Sequence, residues 1–179
     1  MEKLLNVFQR LQYALSCCDF STFCFKPRQV LCFEKLLNGM DVIAVLPTGY
    51  GKSVLYQLLP LFLPTKKTSN IVIVISPLNS IIEDQTIALN KIGIPCDSLK
   101  VKMETYICDE LFSDEENQEQ QDEQTLTISL KILHGKASVL FAHPEAALSE
   151  SGRKLFRSDI YQKNVVACVI DEAHCIEMW

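Results

Sequence analysis

Short apolar runs that alternate with helical segments constrain the fold of this chain more than any other feature. The run at residues 70–76, NIVIVIS, is β-branched and apolar on both faces, which is typical of a central parallel strand covered by helices on both sides. Similar runs occupy residues 41–46, 138–142 and 165–170. Strands that alternate with helices predict a doubly wound, mostly parallel α/β sheet.

The segments between these runs predict the remaining elements. Apolar side chains near the start recur at helical spacing, at Leu4, Phe8, Leu11 and Leu15. This spacing predicts an N-terminal helical extension over residues 1–22. Further helices are expected at residues 53–63, 77–92, 126–133 and 144–156, and a short strand at residues 96–99. Gly93 is expected to end the second of these helices.

Charge is distributed unevenly along the chain. The net charge is -5, but residues 109–123 hold eight acidic side chains and no basic one. The other residues carry 17 basic and 14 acidic side chains, a net charge of +3. A weakly positive body is compatible with binding the DNA backbone but does not argue for it without clustering. Residues 109–124 are polar and poor in aromatics, so we expect an acidic, mobile insertion.

Composition also disfavours membrane, disulfide-stabilised and zinc proteins. No apolar run reaches the roughly 20 residues that a membrane-spanning helix needs, so no membrane partner is predicted. Eight cysteines are scattered through the chain without a C-x-x-C pair, and we interpret them as reduced thiols. His134 and His143 have no partners at ligand spacing. The cysteines and histidines therefore predict no metal site.

A glycine-containing loop follows the first apolar run. Residues 47–53 read PTGYGKS and precede a helical segment, which is the context that a phosphate-binding loop requires. The glycines let backbone N–H groups face phosphates, and the helix N-terminus adds a favourable dipole. We expect Lys52 to reach the β and γ phosphates of a nucleotide and Ser53 to ligate Mg²⁺. Leu46 stands where the general P-loop pattern has glycine.

An acidic pair lies at the end of the last apolar run. Asp171 and Glu172 follow residues 165–170 and should lie on the same edge of the sheet as the phosphate loop. We expect Asp171 to hold Mg²⁺ through its water shell and Glu172 to orient or deprotonate the attacking water. A simple helix-capping pair would not explain the apolar strand before it. Both motifs together predict an ATP-hydrolysing site with ATP and Mg²⁺ as its ligands.

Four stretches resemble one helicase family. Residues 171–179, DEAHCIEMW, are similar to the RecQ family of superfamily-two ATP-dependent DNA helicases, and the PTGYGKS loop resembles the first motif of superfamily-two helicases. The FKPRQ stretch at residues 25–29, the SPL stretch at residues 76–78 and the Pro-Glu pair at residues 144–145 agree with this family. The resemblance implies that residues 23–179 are part of a first RecA-like lobe, with the second lobe absent. It also implies 3′ to 5′ polarity and a role in DNA repair and recombination.

The resemblance assigns roles to particular residues. Gln29 would contact adenine through its amide with Lys26 beside it, and His174 would link the nucleotide state to DNA. The other nucleotide-binding residues would be Thr48, Gly49, Tyr50, Gly51, Lys52 and Ser53, and the catalytic residues Lys52, Asp171, Glu172 and His174. DNA contacts are implied at Ser76, Pro77, Leu78, Gln85, Pro144, Glu145 and Trp179. Trp179 would stack on a single-stranded base, with a buried core tryptophan as the alternative.

Two rival functions remain open beside an ATP-dependent helicase acting on single-stranded or forked DNA. One is a truncated, non-catalytic module that binds nucleotide or DNA, and the other is a P-loop kinase, which the DEAH sequence disfavours. A helicase needs a second lobe for its arginine finger, so we expect the 179 residues alone not to unwind DNA. A DNA substrate suggests the nucleus in a eukaryote and otherwise the cytoplasm or nucleoid. Protein partners are not predicted.

The implied architecture also bears on stability. In the family's fold, the strand after the DEAH motif lies between the strands ending at Leu46 and Ile170. We expect these two strands about 9 to 10 Å apart, with unpaired backbone groups facing a gap. Buried unpaired groups cost about 1 to 3 kcal/mol each, so we expect the isolated chain to aggregate or stay partly unfolded.

Overall fold

A five-stranded β-sheet forms the middle layer of the fold. The computed structural model describes residues 2–18, 23–63, 69–102 and 125–178. Within them the strands are β1 Ile71–Ile75, β2 Cys96–Lys102, β3 Thr125–Thr127, β4 Val139–Ala142 and β5 Val165–Ile170. Their order across the sheet is β3-β2-β4-β1-β5, with β3 antiparallel to β2 and the other four strands parallel. The prediction of a mostly parallel α/β fold is confirmed.

Helices cover both faces of this sheet. On one face lie α1 Glu2–Ser16, α2 Pro27–Leu37, α3 Lys52–Gln57, α4 Leu59–Phe62 and α5 Asn79–Lys91. On the other lie α6 Leu130–Leu133, α7 Pro144–Leu148, α8 Glu150–Arg157 and α9 Asp159–Asn164. A 3-10 helix, Ala173–Met178, follows β5. The described residues therefore form three layers, as expected when helical crossovers join parallel strands.

Alternate residues of β1 point to opposite faces of the sheet. Val72 and Val74 belong to a core cluster with α1 to α5, whereas Ile71 and Ile73 belong to a second cluster with α6 to α9. All four side chains are buried because β1 has strands on both edges and helices over both faces. This is the environment that the β-branched run predicted.

The N-terminal helix packs through a face slightly different from the predicted one. Val7, Leu11 and Ala14 are buried, and α1 lies against α2 and α4. Leu11 was predicted on this face, but Phe8 is 50% exposed. Neighbouring residues are about 100° apart around a helix, so a stripe through Val7 leaves Phe8 at its margin. The helix itself is confirmed, while the proposed domain boundary after residue 22 stays a prediction.

The predicted strand at residues 41–46 is not formed. The segment has no regular secondary structure, and no backbone hydrogen bond joins it to another described residue. Ile43 and Val45 are 95% and 84% exposed. Apolar sequence favours a strand, but a strand also needs a partner, and within the described ranges β5 pairs only with β1. The prediction of two strands flanking a gap is therefore wrong for the strand expected to end at Leu46.

Smaller corrections concern element boundaries. The predicted helix at residues 126–133 is wrong in its first half, because residues 125–127 pair with β2 as β3. Ser129 then begins α6 by accepting a hydrogen bond from the Ile132 N–H. The helix expected over residues 53–63 breaks at Leu58, two residues before Pro60, which lies in the first turn of α4. The helix expected over residues 144–156 breaks at Ser149, which caps α8 through the Gly152 N–H.

Two predictions fall outside the described residues. They are the acidic insertion at residues 109–124 and the stacking role of Trp179, and both stay predictions. None of the helices in the described ranges combines the length and apolar character that a bilayer span requires.

Candidate functional site

The glycine-containing loop turns sharply between residue 46 and α3. The Tyr50 N–H donates to the Pro47 carbonyl at 3.1 Å. Gly49 and Gly51 have φ angles of +74° and +89°, in the left-handed region that favours glycine. Gly51 immediately precedes α3, so the loop delivers Lys52 and Ser53 at the start of a helix. The geometry is that of a loop able to direct backbone N–H groups toward an anion.

Gln29 is hydrogen-bonded to this loop through its side chain. Its side chain is fully buried, and its Nε2 donates to the carbonyls of Tyr50 and Gly51 at 3.1 and 3.0 Å. Its Oε1 accepts from the Lys26 N–H at 2.8 Å. The Lys26 ammonium donates to the Gly49 carbonyl at 3.3 Å and lies 4.6 Å from the centre of the Tyr50 ring. The start of α2 and the phosphate loop are thus joined into one unit.

The acidic pair lies where β5 ends beside β1. The Asp171 N–H donates to the Ile75 carbonyl at 2.8 Å, which continues the parallel pairing of β5 with β1. The Glu172 N–H donates to Asp171 Oδ1 at 3.1 Å. Glu172 has a φ of +50°, a strained value for a residue with a Cβ. Its Oε2 lies 3.3 Å from His174 Nδ1, so these two side chains contact each other.

Electrostatics join the loop to the acidic pair. Burial raises the pKa of the Asp171 carboxyl, and the Glu172 carboxylate raises it further. The Lys52 ammonium acts in the opposite direction and lowers that pKa, so its charge is felt at Asp171. The geometric link is Tyr56, which follows Lys52 by one helical turn and contacts Asp171 through its hydroxyl, so α3 and the acidic pair adjoin in the fold. The structure brings the two predicted motifs together at one edge of the sheet.

Tyr56 is a site residue that the sequence predictions missed. Its hydroxyl donates to Asp171 Oδ2 at 3.4 Å, and it is only 3% exposed. Burial raises the pKa of the Tyr56 phenol, the Ser53 side chain lowers it, and Asp171 adds to the rise. The available signal was helical spacing, because Tyr56 follows Ser53 by three positions and so lies on the same side of α3.

Hard oxygen donors at this edge suit a magnesium ion. Ser53 offers a hydroxyl and Asp171 a half-buried carboxylate, both ligand types that Mg²⁺ takes while keeping several waters. No cluster of three or more His, Cys, Asp or Glu side chains capable of holding a metal occurs among the described residues. Water-mediated binding needs no such cluster, so the residues present fit Mg²⁺ bound with a nucleotide.

Most of the residues assigned to DNA surround a groove beside the acidic pair. The groove has a volume of about 610 Å³. Its lining contains Pro77, Leu78, His143, Pro144, Glu145, Leu148, Glu172, His174 and Cys175. His143 Nε2 lies 3.0 Å from the Pro77 carbonyl oxygen and so connects the SPL stretch to the start of α7. Glu172 and His174 thus face the same groove as the predicted DNA-contacting residues.

Two of the residues assigned to DNA contacts are buried, and one of them, Pro144, also lines the groove. Ser76 is fully buried, and its hydroxyl has no hydrogen-bond partner among the described residues. Pro144 is also buried, since it begins α7 against the sheet. Neither side chain is exposed in this conformation, and the DNA contacts expected at Ser76 and Pro144 stay predictions. The Gln85 side chain accepts a hydrogen bond from Gln57 and so ties α5 to α3.

The fold and the site define a P-loop nucleotide-binding protein of the α/β class. The family model described as DEAD/DEAH box helicase matches residues 26–179. The chain therefore belongs to the DEAD/DEAH box helicase family.

Curated relatives agree with the resemblance seen in the motifs. The chain is 32% identical over 158 residues to the RecQ-like DNA helicase blm-1 of Caenorhabditis elegans, covering 87% of this chain and 14% of that protein. It is 32% identical over 155 residues to the ATP-dependent DNA helicase RecQ of Haemophilus influenzae, covering 87% of this chain and 21% of the relative. It is 34% identical over 157 residues to the ATP-dependent helicase SGS1 of Saccharomyces cerevisiae, covering 87% of this chain and 10% of that protein. The RecQ-like resemblance is confirmed, and the chain spans 10% to 21% of the length of these relatives.

Proposed function

We propose that this chain carries the ATP-binding and ATP-hydrolysing part of a RecQ-like 3′ to 5′ DNA helicase. The observation that carries the proposal is the meeting of the helix that follows the phosphate loop with the acidic pair, where the Tyr56 hydroxyl lies 3.4 Å from Asp171 Oδ2. Polarity comes from the family resemblance. Hydrolysis would be coupled to DNA unwinding in the whole protein.

Each residue at the site has a separate chemical role in this proposal. Lys52 neutralises charge on the β and γ phosphates, and the loop N–H groups orient them. Ser53 and Asp171 would hold Mg²⁺, Asp171 through water, and the ion would supply further charge neutralisation. Glu172 accepts or directs the proton of the attacking water. Its contact with His174 connects this step to the groove.

Adenine recognition by Gln29 requires a rearrangement in this proposal. Both ends of the Gln29 amide are already used, by the loop carbonyls and by the Lys26 N–H. A bidentate contact with adenine would have to replace some of these hydrogen bonds. Adenine binding and the position of the phosphate loop would therefore be linked.

The groove is the proposed path for single-stranded or forked DNA. Leu78 is 49% exposed there and offers an apolar surface. The described lining includes Glu145 and Glu172 but neither Lys nor Arg, so phosphates would be held by backbone N–H groups and histidine rather than by a basic patch. A protein acting on DNA would work in the nucleus of a eukaryotic cell, or in the cytoplasm or nucleoid of a bacterium.

Substituting Glu172 tests the proposal. Glu172→Gln keeps the shape of the side chain but cannot accept a proton, so ATP should stay bound while hydrolysis falls by about 100-fold or more. Glu150→Gln is the matched control, because Glu150 is exposed on α8 and paired with Lys154. ATP binding is measured by calorimetry with Mg²⁺, and hydrolysis by phosphate release. A parent protein that binds no ATP would favour the alternative of a non-catalytic module, and unchanged turnover in Glu172→Gln would remove Glu172 from the mechanism.

A further inference from the structure

We propose that Tyr56 is a positioning residue that holds the Asp171 carboxylate in the orientation needed for the water shell of Mg²⁺, an inference that rests on the proposed function. The Tyr56 hydroxyl lies 3.4 Å from Asp171 Oδ2. The Tyr56 residue as a whole is only 3% exposed, so its side chain lies in the core. A buried hydroxyl is costly unless it is hydrogen-bonded, and this one interacts with both Asp171 and the Ser53 side chain, which places it between the two expected Mg²⁺ ligands.

The hydroxyl is positioned by the place of Tyr56 on α3 and by packing of its ring against β4. The Tyr56 ring contacts Phe141 edge-to-face, with centroids 5.9 Å apart and planes at 83°. Phe141 is fully buried in β4, in the middle of the sheet. Tyr56 also follows Lys52 and Ser53 by four and three positions, so α3 directs all three toward the same side. The residue that would contact phosphate and the one that touches Asp171 are therefore held on one rigid turn.

Asp171 is held at three points, one on its backbone and two on its carboxylate. Its backbone N–H is bonded to the Ile75 carbonyl, its Oδ1 accepts from the Glu172 N–H, and its Oδ2 accepts from Tyr56. A carboxylate can accept about four hydrogen bonds, which leaves lone pairs for water. Without the hydroxyl, Oδ1 would keep its bond but the carboxylate plane could rotate about it. Groups behind a metal ligand commonly act in this way.

Tyr56→Phe removes the hydroxyl and keeps the ring, and Tyr161→Phe is its matched control. Tyr161 is 1% exposed, and its hydroxyl donates to the Ile132 carbonyl at 3.0 Å in the opposite core cluster. Binding of a fluorescent ATP analogue to the purified protein is measured against Mg²⁺ concentration and again in excess EDTA. We expect Tyr56→Phe to raise the half-saturating Mg²⁺ concentration by about 10-fold and to leave binding in EDTA unchanged. Tyr161→Phe should change neither value, while thermal melting reports the stability of both variants.

Three outcomes would contradict the assignment. An unchanged Mg²⁺ requirement in Tyr56→Phe, with normal nucleotide binding by the parent, would overturn the role of Tyr56 and leave the proposed function standing. A shift in Tyr161→Phe as large as that in Tyr56→Phe, or a loss of binding by Tyr56→Phe in EDTA as large as its loss with Mg²⁺, would show that the hydroxyl acts on general stability. A parent protein without any Mg²⁺-dependent nucleotide binding would instead overturn the proposed function and this role with it.

Discussion

Gly51 shows at the scale of one residue why the loop needs glycine. Its φ is +89°, and a Cβ built on it would lie 2.7 Å from Gln29 Nε2. A side chain there would both strain the backbone and displace the amide that holds the loop. Gly39 has a similar φ of +74° but has no atom within 4 Å of a Cβ position. Comparing substitutions at these two glycines therefore separates the effect of backbone strain from the effect of the contact with Gln29.

We expect Gly51→Ala to lower the free energy of unfolding by about 1 to 3 kcal/mol and to weaken ATP binding, because the loop must shift away from Gln29. Gly39→Ala should cost only the backbone strain, about 1 kcal/mol, and leave ATP affinity unchanged. Denaturant unfolding and calorimetry measure the two effects. Equal losses in both variants would mean that the Gln29 contact contributes nothing.

The buried Asp171 carboxylate is expected to lower the stability of the ligand-free protein, although the proposed function needs it. Its pKa is raised in the folded protein, chiefly by burial, so the folded state binds its proton more tightly than the unfolded chain does. Stability therefore falls as the pH rises from about 3.9 through the raised folded value, and the cost stays constant above both. Asp171→Asn removes this cost, because the amide has no charge to bury.

We expect Asp171→Asn to melt at a higher temperature than the parent at pH about 7, with a difference that shrinks as the pH falls toward about 3. Adding Mg²⁺ and ATP should reverse the order, since only the parent would gain the full stabilisation from ligand binding. Asp159→Asn, at an exposed residue of α9 paired with Lys163, is the control. A parent that is more stable than Asp171→Asn without ligand at neutral pH would contradict the burial argument.

At the scale of elements, β1 and the segment at residues 41–46 have similar composition and different environments. β1 has hydrogen-bonded strands on both sides, whereas no described residue forms a backbone hydrogen bond with the segment. β5 is intermediate, since β1 is its one strand partner in the described ranges. Its Ile170 is 47% exposed, while Ile73 of β1 is 7% exposed.

Amide hydrogen exchange should follow this order. We expect strong protection across β1 and β4, weaker protection in β5, and almost none at residues 41–46, because exchange requires an N–H free of hydrogen bonds. Exchange measured by mass spectrometry on the purified protein gives all four regions in one experiment, with β1 as internal reference. Protection of residues 41–46 equal to that of β1 would show that the segment pairs as a strand.

At the scale of the whole molecule, the sheet places the chemistry at one edge. The phosphate loop, the end of β5 and the groove beside the SPL stretch lie together where parallel strands end, the usual ligand site of α/β sheets. Apolar side chains are also exposed at Ile43, Val45 and Ile170, and within the described ranges β5 is an edge strand of the sheet. Unpaired edges of this kind promote association with other strands. The expectation of aggregation thus stays a prediction.

The sequence determined the elements whose signals are local. The run at residues 70–76 predicted a buried central strand, and the glycines, Lys52 and Ser53 predicted a loop able to hold phosphate, because backbone conformation and residue chemistry require little context there. Tertiary structure decided what depends on partners. Residues 41–46 are not a strand because pairing requires a neighbour, and residues 125–127 are one because β2 supplies it. Tyr56 entered the site for the same reason, since its contact with Asp171 joins positions that only the folded sheet brings together.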